Sequence, residues 1–221
     1  MMNLQKQHLF LSENSLIKSR ALRTKLPYSE ACENNKNPIL GVLQKYIDKQ
    51  QSLLEIGGGS GQHGEFFAQH FPALMWQTSD IPEAVDTLNL RIRASGLPNL
   101  PKAIPINVDN TYWNAGAHDL IFTANSLHIM SENSVRNFFC GIPKVLRGDG
   151  LLFIYGPFKY GGKFTTESNA HFNDWLKTHD PKSGLRDFES VISLAAQAGL
   201  NFIADNSMPA NNQMLIFSKT N

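Results

Sequence analysis

The chain has 221 residues, 42% of them hydrophobic and 18% charged, which is enough for one soluble-type domain with a full core. Its net charge of +1 argues against a nucleic acid or an anionic membrane as partner, and no apolar run approaches the ~20 residues of a membrane span. The two cysteines, Cys32 and Cys140, form no C-x-x-C and the seven histidines show no metal-ligand spacing, so neither a disulfide scaffold nor a metal is expected, and free thiols suit a reducing, cytoplasmic setting.

Residues 1–25 lack clear periodicity, and His8-Leu9-Phe10-Leu11 is too short for a secretory leader. They read as an N-terminal extension, expected to be mobile, ahead of one domain over 26–221. Tyr28 to Asn37 is polar. Pro38 fits the first turn of a helix in which Ile39, Leu40, Val42, Leu43, Tyr46 and Ile47 recur at helical spacing. Leu53 to Ile56 reads as a buried strand, and Glu65 to Phe71 as the helix after a glycine turn. Leu74 to Asp80 reads as the second strand, Glu83 to Ala94 as a helix with Gly96 at its C-cap, and Ala103 to Val108 as the third strand. The fourth strand spans Asp119 to Asn125. A helix over Ser134 to Leu146 is closed by Gly148-Asp149-Gly150, and Leu151 to Pro157 is an apolar fifth strand buried on both faces. Phe158 to Arg186 is a long polar connection holding a helix near Asn169 to Lys177, of the kind that forms lids. Asp187 to Ala198 is a helix. Asn201 to Asp205 and Gln213 to Ser218 are the last strands, joined by Asn206 to Asn212.

Alternating strands and helices imply a Rossmann-like α/β fold, a mostly parallel seven-stranded sheet with helices on both faces. The short final connection implies an antiparallel C-terminal hairpin at its edge. Ligands of such sheets sit beyond the carboxyl ends of the strands. The first strand ends in Gly57-Gly58-Gly59-Ser60-Gly61, where glycine permits positive φ and close ligand approach, and the helix that follows opens with free N–H groups. Asp80 ends the second strand, 23 positions beyond Gly57, placed to accept from ribose hydroxyls. Asp109 follows the third, placed to accept from an adenine amino group, and Asn125 ends the fourth. Asp80 and Asp109 also suit helix N-caps. His128 reads either as a base or hydrogen-bond partner beside the reacting group, or as a packed histidine. Tyr155 either faces the site or packs under it. Gly59-Ser60-Gly61-Gln62-His63-Gly64 matches the dinucleotide fingerprint literally, but Gly57 is the residue that directly follows the strand. Glu55 in the strand end suits a ligand with an ammonium and a sulfonium better than a pyrophosphate.

Read from Glu55, the string E-x-G-x-G-x-G resembles motif I of class I S-adenosylmethionine-dependent methyltransferases. The chain as a whole resembles a small methyltransferase-like bacterial family. Its marks are Ser29-x-Ala31-x-Glu33-x-Asn35-Lys36-x-Pro38-Ile39-Leu40, Leu54-Glu55-Ile56 with Gly59-x-Gly61-Gln62-His63, Trp76-Gln77-x-Ser79-Asp80, Asn125-x-x-His128-Ile129, Tyr155-Gly156-Pro157-Phe158, Ser168-Asn169-x-x-Phe172, Gly184-x-Arg186-Asp187 and Met208-Pro209-Ala210-Asn211-Asn212. The family usually carries arginine where this chain has Asn34. The resemblance implies S-adenosylmethionine as cofactor, contacts from Asn35, Lys36, Glu55, Gly57, Gly59, Gly61, Asp80, Asp109 and Asn125, and His128 and Tyr155 near the chemistry. It leaves the acceptor open. A small molecule is expected, with an oxygen, nitrogen or sulfur as acceptor atom. A nicotinamide oxidoreductase and a non-catalytic cofactor-binding module stand as alternatives. Tyr28 to Lys36, Lys159 to Arg186 and Asn206 to Asn212 are expected to fold over the cofactor and form the acceptor pocket.

Overall fold

The computed structural model describes residues 26–47 and 51–219. The expected N-terminal extension, 1–25, lies outside them. In order come α1 (Glu30–Leu43), β1 (Ser52–Ile56), α2 (Gln62–His70), β2 (Met75–Asp80), α3 (Pro82–Ser95), β3 (Ile104–Pro105), β4 (His118–Ala124), α4 (Glu132–Val145) and β5 (Leu146–Gly156). Then follow β6 (Phe158–Tyr160), β7 (Lys163–Phe164), α5 (Glu167–His179), β8 (Arg186–Asp187), α6 (Phe188–Gln197), β9 (Leu200–Met208), a 3₁₀ turn (Pro209–Asn211) and β10 (Asn212–Lys219).

The main sheet has seven strands in the order β3-β2-β1-β4-β5-β10-β9. β1 to β5 pair in parallel, and β10 pairs antiparallel with both β5 and β9. This is the expected Rossmann-like sheet with its antiparallel C-terminal hairpin. Each strand alternates between two apolar layers, as period-two side chains require. Leu53, Trp76, Phe122 and Phe153 pack with Ile39, Phe67 and Leu88 of α1, α2 and α3. Leu54, Ile121, Ile154 and Phe217 pack with Phe138, Ile142 and Val191 of α4 and α6.

Four elements differ from the expectation. α1 begins at Glu30, capped by Ser29, whose side chain accepts from Cys32 N–H. Pro38 therefore lies inside the helix rather than in its first turn. Apolar anchoring by Ile39, Leu40 and Leu43 offsets the backbone bond that proline removes. β3 is only Ile104–Pro105, an edge strand whose proline has no N–H to extend the ladder. No turn separates α4 from β5. The chain enters the strand at Leu146, and Gly148, Asp149 and Gly150 form an irregular excursion within it, with Asp149 at φ +60°. A Cβ on Gly150 would lie 2.7 Å from the Asp119 carbonyl oxygen, so glycine permits that close pass. Finally, the long connection after β5 is structured. It forms a three-stranded sheet in the order β7-β6-β8, together with α5.

Because β10 runs against β5, Gln213 pairs with Gly156 at the carboxyl end of β5. The 209–211 turn thus sits at the same end of the sheet as the glycine turn. Both Ala210 (φ +56°) and Asn211 (φ +57°) are left-handed, the backbone sense of tight hairpin turns.

Candidate functional site

One cavity of about 1150 Å³ opens over the carboxyl ends of the parallel strands. Its floor runs from Gly57, Gly58 and Gly59 through Asp80 and Ala124 to Tyr155, and residues of α1, α5 and the 209–212 turn form its walls. The strand ends are fixed by hydroxyls. Ser79 donates to the Glu55 carbonyl at 2.7 Å and Thr123 donates to the Ile56 carbonyl at 2.8 Å. The glycine turn then hangs from β2, with Gly57 and Gly58 N–H both donating to the Ser79 carbonyl. Gly57, Gly59 and Gly61 all have positive φ. A Cβ on Gly57 would lie 2.6 Å from Ser126 Oγ, whereas nothing stands within 4 Å of a Cβ on Gly59.

Asp80 is the buttress of this turn. One carboxylate oxygen accepts from Gly59 N–H at 2.7 Å, the other from Ile81 N–H at 2.8 Å. A carboxylate has about four lone-pair positions, so acceptor capacity remains toward the cavity. Arg91 braces the turn from α3. It donates to the Ser60 carbonyl at 2.7 Å, pairs with Glu65 at 2.9 Å and reaches the Pro27 carbonyl. Gln62 accepts from Ser29 N–H and Ser60 Oγ, which ties the segment before α1 to the glycine turn.

Asn35, Gly57, Gly59, Asp80, Asp109, Asn125, His128 and Tyr155 of the predicted set all line this cavity. Three others do not. Glu55 is fully buried beneath the turn, where Trp76 Nε1 donates to it at 2.8 Å. Burial pushes its carboxyl up to about 7 against that hydrogen bond. It braces the sheet beside Trp76 and does not line the cavity. Lys36 turns outward to Glu33 and lies 5.0 Å over the Phe66 ring. Gly61 is the left-handed N-cap of α2. A Cβ there would lie 2.8 Å from Leu88, so its role is in packing α2 on α3. Asp109 reaches the cavity, but its carboxylate already accepts from Ser134 Oγ and Asn137 Nδ2, both at 3.0 Å. That ties it to the first turn of α4.

The residue that sequence reasoning missed is His63. It sits in the first turn of α2, lines the cavity and is bonded to Asn35 Oδ1 at 2.7 Å. Its ring stacks on Phe67, and burial holds its pKa down at about 4, so it is neutral at pH 7. Asn35 also bonds Tyr155, whose hydroxyl burial pushes up to about 12. His63, Asn35 and Tyr155 thus form one chain of polar contacts from α2 to the end of β5. The signal available was the paired occurrence of Asn35 and His63 among the resemblance marks.

His128 stands in the 125–130 loop, with Phe172 edge-on at 5.3 Å. Burial, and then the nearby Arg186, hold its pKa down at about 4. Its loop is clamped from the far side. Arg186 donates to the carbonyls of Leu127, Met130 and Lys182, Ser183 donates to the Ile129 carbonyl at 2.8 Å, and Gly184 N–H donates to the His128 carbonyl at 2.9 Å. Asn125 itself is left-handed at φ +56°, a conformation asparagine tolerates better than most residues.

The charge on the walls is one-sided. Asp80 and Asp109 line the β2–β3 side, and among the described residues no Lys or Arg lines the cavity. Among the described residues no group of three or more His, Cys, Asp or Glu converges to hold a metal, and no helix is long and apolar enough to cross a membrane. Residues of all three added segments, 28–36, 159–186 and 206–212, line the cavity.

A family model described as "Protein of unknown function (DUF938)" matches residues 26–219. Among solved structures, an O-methyltransferase family protein from Burkholderia thailandensis superposes with a TM-score of 0.74 at 18% identity, over 86% of this chain and 58% of that one. An O-methyltransferase family 2 protein from Planctomyces limnophilus, in complex with apigenin, gives 0.69 at 15% identity over 87% and 62%. Human N-acetylserotonin methyltransferase, in complex with SAM, gives 0.70 at 16% identity over 87% and 53%. The chain therefore spans between half and two thirds of the length of these structures, and the likeness is one of fold.

Proposed function

We propose that this chain, which belongs to the DUF938 family, binds S-adenosylmethionine in the cavity and transfers its methyl group to a small-molecule acceptor. The observation that carries the reading is the pairing of left-handed Gly57 and Gly59 with a loop-bracing Asp80 in a cavity whose walls, among the described residues, hold carboxylates and no cationic side chain. A sulfonium and an ammonium suit such walls, whereas a pyrophosphate would face Asp80 and Asp109 with no Lys or Arg among the described residues to offset them. That weighs against the nicotinamide alternative.

The residues fit the cofactor part by part. Gly57 and Gly59 expose bare backbone beside the cavity. Asp80 keeps lone pairs for a pair of ribose hydroxyls, while Ile81, Ile106 and Val108 give apolar walls for a flat ring. The bound cofactor supplies a methyl group already activated by the sulfonium. What remains for the chain is alignment, which contributes about 7–11 kcal/mol when two reactants are held in line. His128 is neutral at pH 7 and stands ready to accept a hydrogen bond from the nucleophile. Its low pKa makes it a better orienting acceptor than a general base near neutrality. Tyr155, held by Asn35, keeps its proton throughout the physiological range.

Calorimetric titration with S-adenosylhomocysteine and with NAD tests the reading. Binding of S-adenosylhomocysteine in the micromolar range and none of NAD is expected. Tighter binding of NAD would overturn it. Binding with no methyl transfer to any acceptor in a broad library would favour a non-catalytic module.

A further inference from the structure

The cavity is longer than one cofactor needs. From β2 to β10 it crosses four strand spacings, or about 19 Å at roughly 4.8 Å each. Its two ends differ in chemistry. The β2–β3 end holds Asp80, Asp109 and the aliphatic Ile81, Ile106 and Val108. Among the described residues the β5–β10 end holds no charged side chain. There α5 presents Ser168, Phe172 and Trp175, spaced four and three residues apart and so on one helix face.

Phe172 and Trp175 lie nearly parallel, 14° apart with centroids at 5.9 Å, and His128 meets Phe172 edge-on. Trp175 is nonetheless 55% exposed. Its indole has Phe172 at 5.9 Å and the His179 ring at 4.2 Å, tilted by 44°, and the rest of its apolar surface stays open beside the cavity for something else to cover. The same cavity is lined by the amides of Asn34, Asn125, Asn169 and Asn212. Amides offer both donors and acceptors, so they match hydroxyl and carbonyl groups and give no counter-charge to an ion. Asn169 is itself anchored, donating to Thr165 Oγ1 at 2.8 Å and to the Asn211 carbonyl, which locks α5 to the 209–211 turn.

The geometry points to the acceptor class: an uncharged, planar aromatic molecule carrying a hydroxyl, packed against the open surface of Trp175 and Phe172 with its polar edge toward His128 and the asparagine amides. This rests on the methyl-transfer reading above and names the substrate class of that same site. The balance is simple. The acceptor oxygen forms a bond to the methyl carbon, the carbon–sulfur bond breaks with its electrons going to sulfur, and the hydroxyl proton, oriented by its hydrogen bond to His128, is lost to water. The products are a methyl ether and S-adenosylhomocysteine. The 182–186 clamp makes Arg186 a positioning residue, since it holds the carbonyls on both sides of His128.

The test uses the full chain, 2-naphthol as the aromatic probe, and cyclohexanol and 2-naphthoate as comparisons. Each is titrated calorimetrically with and without saturating S-adenosylhomocysteine. Naphthol should bind at least tenfold more tightly than either comparison. Trp175→Ala should weaken naphthol at least tenfold while changing S-adenosylhomocysteine affinity less than twofold, and Trp175→Phe should recover much of the loss. If naphthol binds no better than cyclohexanol, the aromatic class is wrong. If naphthoate binds best, the uncharged class is wrong. Absence of heat with S-adenosylhomocysteine alone refutes the cofactor reading, and the naphthol arm without it still decides the aromatic wall.

Discussion

Replacing Asp80 by asparagine keeps the side chain's shape and removes one charge and one acceptor atom. In the native chain the two carboxylate oxygens receive Gly59 N–H at 2.7 Å and Ile81 N–H at 2.8 Å. Asparagine has one acceptor oxygen, so one of those backbone donors meets an NH₂ group instead. A hydrogen bond to a charged group contributes about 1.5–3 kcal/mol, and Asp80 is only half-buried, which favours the lower part of that range. The ribose hydroxyls lose their charged acceptor in the same substitution. The expected loss is thus about 1.5–3 kcal/mol, or roughly 10- to 100-fold in S-adenosylhomocysteine affinity. The cost falls on a loop and not on the core, so the melting temperature should drop by only a few degrees, at about 2–4 °C per kcal/mol for a chain of this size. Calorimetry at 25 °C, with circular dichroism on the same sample, separates the two effects. Affinity within twofold of native on a folded Asp80→Asn protein would refute both the buttress role and the ribose contact.

Gly57→Ala should abolish cofactor binding, because an L-residue at φ +76° is strained by about 1–2 kcal/mol and its Cβ would stand 2.6 Å from Ser126 Oγ; adding Ser126→Ala should restore part of the affinity, and no restoration would mean that the steric account fails. Glu55, with a folded pKa raised to about 7, stabilises the fold fully below the usual carboxylate pKa and loses that contribution as pH rises from about 4.5 to about 7. Glu55→Gln should therefore make urea stability rise more steeply with pH across that window, by about 1.4 kcal/mol per unit; an unchanged slope would show that the carboxyl titrates normally. His63 and His128, both held at about 4, act in the opposite sense: the stability they contribute is present above pH 6.5 and is lost as pH falls toward 4, so His63→Phe, if it packs, should flatten the acid limb. His128→Asn should lower kcat with S-adenosylhomocysteine affinity unchanged, while an altered melting temperature with normal turnover would leave the histidine as packing alone. Arg186→Leu should lower kcat and speed hydrogen exchange in the 125–130 loop, because two of its carbonyls, Leu127 and Met130, lose their donor; exchange unchanged in that loop would remove the clamp from the account.

What the sequence by itself determined is local. Strand, glycine turn, helix and a strand-end acid lie within about thirty residues, and their placement follows from hydrophobic period and backbone chirality. Hence the sheet, Gly57, Gly59 and Asp80 were legible before any coordinates. What the tertiary structure alone decided is where side chains go once distant segments meet. Glu55 and Gly57 are two residues apart, yet Glu55 turns to Trp76 because alternation along β1 aims it under α2. Asp109 lines the cavity as a strand-end acid, but only the fold shows that α4 brings Ser134 and Asn137 to its carboxylate. Pro38 reads as a helix start, but the cap at Ser29 and the apolar face that follows carry the helix through it. His63, Asn35 and Tyr155 lie far apart in sequence and meet only when α1 and α2 pack over the end of β5. The aromatic wall of α5 is hidden for the same reason. Phe172 and Trp175 show a helical spacing that any amphipathic helix would share, and only the fold decides that this face looks into the cavity and not into the core.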